Sequence, residues 1–236
     1  MKHLLILVGF MAFLTSCGIQ SDTGGGNNTS ALLAKYRAYD LPATKPSNSS
    51  AVRVKVSLAN QMVYVMEGSK PLLVMPVSVG RPGQETPRGN LTIYSKQAKR
   101  RANTHGYAYK GSLSAPVDMH WTYLKDKKAG YKLHGTPMPY WCEFKSGYGF
   151  HTGWLKPYPC SSGCIRMHEN LAPKFFALVK PGTRVNIATS QSEDYTIGQG
   201  ITRPPNADPL PQYPASIRIT DRIFTYHKPP TYGATL

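Results

Sequence analysis

Acidic residues are scarce in this sequence. Twelve Asp and Glu stand against 28 Lys and Arg, a formal charge of +16 over 236 residues. The excess is localised: residues 51–190 hold twenty basic and six acidic side chains, while residues 191–236 hold four of each. Long apolar runs are missing too. The run Leu4 to Phe13 is ten residues, about half of the ~20 that a membrane-spanning helix needs, and no later segment is long enough. Cysteine is limited to Cys17, Cys142, Cys160 and Cys164. Their spacing matches no structural zinc pattern and the histidines form no HExxH element, so neither a metal nor an organic cofactor is expected. The tail 191–236 shows no repeat.

What is present begins with an export signal. Lys2 supplies a positive n-region and Leu4 to Phe13 suits a signal-peptide h-region. Leu14-Thr15-Ser16-Cys17-Gly18 follows at once and matches a bacterial lipobox, in which cleavage leaves an acylated Cys17. Several acyl chains at ~0.8 kcal/mol per buried CH₂ anchor a protein stably. Gly18, rather than an aspartate, after the lipidated residue favours the outer membrane of a diderm envelope, facing the periplasm. A basic surface binds anions, and in that compartment the expected partners are wall carboxylates and lipid phosphates, not nucleic acid.

The most informative stretch runs from Phe150 to Met167. His151 and Cys164 lie thirteen positions apart, Ser161-Ser162-Gly163 precedes the cysteine, and Arg166 follows it by two. A thiol near pKa ~8.5 needs a base or a cluster of N–H groups to become a nucleophile. The small residues allow a sharp turn whose backbone N–H groups, at Gly163 and Cys164, could hold an oxyanion. His151 is the expected base. No acidic residue lies between it and Cys164, so a backbone carbonyl near Thr152 or Gly153 is expected to orient the imidazole. The Arg166 fork suits a substrate carboxylate.

The stretch closely resembles the signature of the L,D-transpeptidases, cysteine enzymes that cross-link bacterial peptidoglycan. In the subgroup it resembles, the active histidine lies nine residues before the motif serine, the count found here from Thr152 through Cys160. His134-Gly135-Thr136 is the tripeptide that other branches use, but its twenty-six intervening residues to Ser161 are too many. The resemblance extends to Thr86-Pro87-Arg88-Gly89, Met138-Pro139-Tyr140-Trp141, the hairpin Gln61–Val65 with Met75–Gly80, and the closing helix and strand after Leu171. One departure is Ser162, where the family usually has a second histidine. The resemblance implies catalytic roles for Cys164, His151, Gly163 and Ser161. It implies substrate contacts from Arg166, Ser162, Thr152, Gly153, Tyr140 and Trp141. It also implies a thioester acyl-enzyme, release of a terminal D-alanine and a 3–3 cross-link between peptidoglycan stem peptides. Hydrolysis of the thioester, or wall tethering without catalysis, are the alternatives. Export permits a disulfide between Cys142 and Cys160; a Cys160–Cys164 pair is the other option.

The expected fold is mainly β: an antiparallel sandwich or half-open barrel with one or two short helices and a capping loop. Val52, Val54 and Val56 alternate with Arg53, Lys55 and Ser57, the period of a half-buried strand. Residues 96–132 read as an irregular capping loop, and Pro173 to Lys180 as a helix with proline in its first turn. The expected organisation is signal peptide 1–16, flexible linker 17–50 with a short helix at Leu32 to Tyr39, catalytic domain 51–190, and proline-rich tail 191–236.

Overall fold

The computed structural model describes residues 24–211 and 213–225; the expected signal peptide and Cys17 lie outside them. Strands β1 (Val52–Ser57), β2 (Met62–Glu67) and β3 (Lys70–Ser78) form an antiparallel meander. Val52, Val54 and Val56 point into the core while Arg53 stays in solvent, the alternation that a one-sided sheet imposes. Strand β12 (Arg184–Ala188) pairs with β1 in parallel, and β4 (Gly89–Thr92) caps that edge. Beyond β3 come β11 (Ile165–Met167), β10 (Tyr148–Thr152), β9 (Trp141–Lys145) and β5 (Ser95–Gln97). The nine strands curl into a half-barrel of order β4-β12-β1-β2-β3-β11-β10-β9-β5. This is the mainly β class expected.

Helix α2 (Ala172–Leu178) carries proline at its start and packs Phe175 against Phe150, ring centroids 4.6 Å apart. Phe150 and Ile165 are paired across the parallel β10/β11 ladder and are fully buried. Alternation therefore sends their neighbours His151, Cys164 and Arg166 to the opposite face. The barrel core thus determines which way the candidate site points.

Residues 96–132 are not an irregular loop. Most of them, with the segment that follows, form a second antiparallel sheet, β7-β6-β8, from β6 (Arg101–Gly111), β7 (Pro116–Tyr123) and β8 (Lys132–Pro137). Val117 and Trp121 on β7 are exposed, so this sheet has no continuous apolar face to announce it.

The flanking segments pack on the domain. Helix α1 (Gly24–Ala38) is longer than the short helix expected, and it buries Tyr36 with Ala207 and Leu210. The Tyr36 hydroxyl accepts the Leu155 N–H at 3.0 Å. From the other end, Tyr213 stacks on Trp154 with ring centroids 5.2 Å apart, just before the four-residue helix α3 (Ala215–Arg218). Aromatic anchors with hydrogen-bonded tips help to hold both segments, where a flexible linker and an extra strand or extended tail were expected.

Candidate active site

The loop 160–164 is strapped to the end of β3. The Cys160 and Ser161 N–H groups both donate to the Val79 carbonyl at 3.0 Å, and the Arg81 N–H donates to the Ser161 carbonyl at 3.0 Å. Thr86 completes the clamp: its hydroxyl accepts the Gly80 N–H and donates to the Gly163 carbonyl, both at 2.9 Å. Ser161 is buried, and its Oγ accepts the Gly163 N–H at 3.1 Å while donating to the Cys164 carbonyl at 2.5 Å. Ser161 is therefore a pin for the turn and has no catalytic contact. The Gly163 N–H is committed to it, which corrects the expectation of an oxyanion donor there and leaves the Cys164 N–H beside the sulfur. Gly163 itself is obligatory in this turn, with φ +109° and no room for a side chain.

His151 and Cys164 fall on the same face of β10/β11. The register pairs His151 with Arg166 and Phe150 with Ile165, which sets Cys164 diagonally across from His151. Both side chains border Trp141: the His151 ring lies 6.1 Å from the indole, and Cys164 packs on the cluster of Ala102, Met138 and Trp141. The His151 Nδ1 lies 2.8 Å from the Thr152 carbonyl, the backbone orienter expected from sequence. A carbonyl only accepts, so Nδ1 carries the proton and Nε2 presents its lone pair.

The electrostatics differ from a poised ion pair. Burial, reinforced by the Arg166 guanidinium, pushes the His151 imidazole down to about 4. Burial likewise pushes the Cys164 thiol above its ordinary value, although a hydrogen bond from Gly149 and the charge of Arg166 oppose this. Its Sγ lies 3.7 Å from the Gly147 carbonyl as a donor. At neutral pH the resting pair is thus a neutral imidazole and a thiol. This direction is opposite to the lowered thiol pKa expected from sequence, because desolvation outweighs the favourable contacts.

His151 also opens onto a cleft of about 330 Å³ together with Thr152, Gly153 and Arg166. The opposite walls come from Trp121 and Tyr107 of the second sheet, from Tyr36 of α1, and from Tyr213 and Arg218 of the C-terminal segment. None of these five wall residues stands out in the sequence, because each acts alone and none belongs to a periodic pattern. Arg166 reaches towards Cys160, its Nη1 3.6 Å from that sulfur. Its stem covers Gly153, where a Cβ would sit 3.0 Å from Arg166 Cδ.

The expected substrate contact from Trp141 is corrected. Trp141 is 1% exposed and backs His151 from inside, so it cannot touch a substrate. Tyr140 turns towards Phe176, ring centroids 5.6 Å apart, and packs on the core. Ser162 is exposed beside Arg81, 3.5 Å from its guanidinium. His134 sits on β8, its backbone paired with Tyr107. Cys142, Cys160 and Cys164 are all free. Cys142 is locked into the barrel core on β9, and burial raises its thiol to about 12, while Cys160 lies on the motif loop. In a form lacking Cys17, all three thiols should titrate with a disulfide reagent after unfolding without reductant, and Cys142 should be silent before it. Recovery of one thiol alone would contradict the free-cysteine assignment.

The comparisons with known proteins bear on the same region. The family model for the YkuD L,D-transpeptidase catalytic domain matches residues 51–187. A Bacillus licheniformis protein assigned to the L,D-transpeptidases by its name, YkuD, is 28% identical over 147 residues, covering 62% of this chain and 72% of that protein. Among solved structures, the L,D-transpeptidase from Stackebrandtia nassauensis is similar at 19% identity and a TM-score of 0.44, covering 70% of this chain and 68% of its own. The Mycobacterium smegmatis L,D-transpeptidase is similar at 18% identity and a TM-score of 0.42, covering 58% of each chain. More than half of the chain lies inside the family match, and the protein belongs to the YkuD L,D-transpeptidase catalytic domain family.

Proposed function

We propose that this chain is an acyltransferase of the cell envelope that forms 3–3 cross-links between peptidoglycan stem peptides, with Cys164 as nucleophile and His151 as base. The observation that carries this reading is the shared face of β10/β11, where a His151 oriented by Thr152 stands diagonally across from Cys164 inside the family-matched domain. Because the resting pair is neutral, the thiol proton passes to Nε2 as sulfur attacks the carbonyl of the third, L-centred stem residue. The Cys164 N–H is the nearest donor to the oxyanion that forms. Collapse of the tetrahedral adduct breaks the amide bond, and His151 returns the proton to the departing D-alanine amine. The remaining thioester is then attacked by an acceptor amine, whose proton passes to His151 and on to the Cys164 sulfur as it leaves, which restores the neutral pair.

The basic surface, dense from Lys96 through Lys132, supports an anionic wall substrate. The Leu14–Gly18 lipobox motif supports a lipid anchor at Cys17, facing the periplasm from the outer membrane. Cysteine and histidine chemistry suffices without a cofactor. The test is muropeptide analysis after incubation of stem tetrapeptides with purified enzyme. Cross-linked dimers are expected; shortened monomers alone would replace transfer with hydrolysis, and unchanged substrate would overturn the enzymatic reading.

A further inference from the structure

The cleft beside His151 receives a cation from outside the family-matched residues. Arg218, the last residue of α3, lines the same cavity as Arg166, although the family match ends at residue 187. Its guanidinium lies over the Tyr107 ring, 4.7 Å from the centroid, which fixes the fork without neutralising it. Among the described residues Arg218 makes no ion pair, and its Nε is buried without a hydrogen-bond partner. Arg166 likewise makes none. Among the described residues lining the cleft the one carboxylate, Glu169, accepts the Tyr213 hydroxyl at 2.8 Å.

The segment that carries Arg218 is held in place. Arg101 Nη1 donates to the Arg218 carbonyl at 3.2 Å, and Nη2 donates to the Thr220 carbonyl at 2.8 Å and pairs with Asp221 at 3.6 Å. Tyr213 is clamped by Trp154 and Glu169. Two anchors on the catalytic domain therefore flank Arg218 and present its charge to the cavity. A half-buried guanidinium without a carboxylate partner strongly favours an incoming anion, and its planar fork matches a carboxylate in two-point geometry.

We propose that Arg218 is a substrate-binding residue that works with Arg166 to hold a free carboxylate of the peptide substrate, so that the C-terminal segment sets specificity for unamidated peptides. The identity of that peptide rests on the acyl transfer proposed above. The test reads binding apart from chemistry. Cys164→Ala protein is titrated by calorimetry with a stem tetrapeptide bearing free carboxylates, and with the same peptide after amidation. The free acid should bind at least ~10-fold more tightly. Adding Arg218→Met should reduce that preference to under about threefold, while Arg218→Lys should retain part of it. Near-ultraviolet circular dichroism checks packing; should Arg218→Met unfold, Arg218→Gln replaces it under the same criterion. A preference unchanged by loss of the guanidinium, or absent from the start, overturns the inference. A thioester in intact enzyme despite that result leaves the proposed chemistry standing. Carboxylate preference without any thioester does the reverse.

Discussion

His151→Asn is expected to slow acylation by stem tetrapeptide by about 10²–10⁴-fold, the range that a positioned general base supplies. The expectation follows from a neutral imidazole whose Nδ1 is fixed on the Thr152 carbonyl. Burial and Arg166 hold its pKa near 4, so the base stays available down to acid pH. Acylation by the intact enzyme should lose rate on an acid limb near 4, and the variant should lack that limb. Stability follows the same sign. The group binds protons more readily when unfolded, near ~6.5, so its contribution is complete above that value and is lost as pH falls towards 4.

The thiol gives the complementary readout. Burial keeps Cys164 protonated through neutrality, so alkylation by iodoacetamide should climb with pH beyond 8 without a plateau. His151→Asn should leave that profile in place. Alkylation that saturates below pH 7 would signify a thiolate–imidazolium pair and contradict the neutral resting state.

Gly163→Ala carries the second large effect. A Cβ there would lie 2.5 Å from Tyr148 Cε1 and 3.3 Å from the Glu85 carbonyl, at a φ of +109°. Backbone strain at such a position costs of order 1–3 kcal/mol. The turn also carries the Thr86 and Ser161 bonds that seat Cys164, so its distortion displaces the sulfur. A displacement near 1 Å costs roughly 10²-fold in rate. Single-turnover acylation should fall by about that factor with a modest drop in melting temperature. Tyr148→Ala in the same chain should restore part of the rate by removing the ring clash. A variant within twofold of the parent would show that the turn tolerates a side chain and does not govern the nucleophile.

The sequence revealed the parts of the site that depend on local chemistry. The alternating valines of β1, the proline at the start of α2, and the His151–Cys164 spacing each carry their own physical reason within a few residues. The backbone orienter was legible because no acid intervenes between the two. What stayed hidden depends on distant packing. The second sheet exposes Val117 and Trp121, which erases the one-sided apolar pattern that marks a strand pair. Arg218 and Tyr213 reach the cleft through long-range contacts that no local spacing encodes. Trp141 stood out by the family resemblance and Cys142 as a possible disulfide partner, yet β9 buries both, Cys142 in the barrel core and Trp141 behind His151. The thiol's protonation state depends on burial, which sequence alone does not measure.

Mass spectrometry of the intact protein after brief exposure to a stem tetrapeptide tests the nucleophile directly. An adduct equal to the peptide less its terminal D-alanine, mapped by digestion to position 164 and discharged by hydroxylamine, is the predicted result. An unmodified Cys164 under conditions where substrate is consumed would place the chemistry on another group and contradict the account.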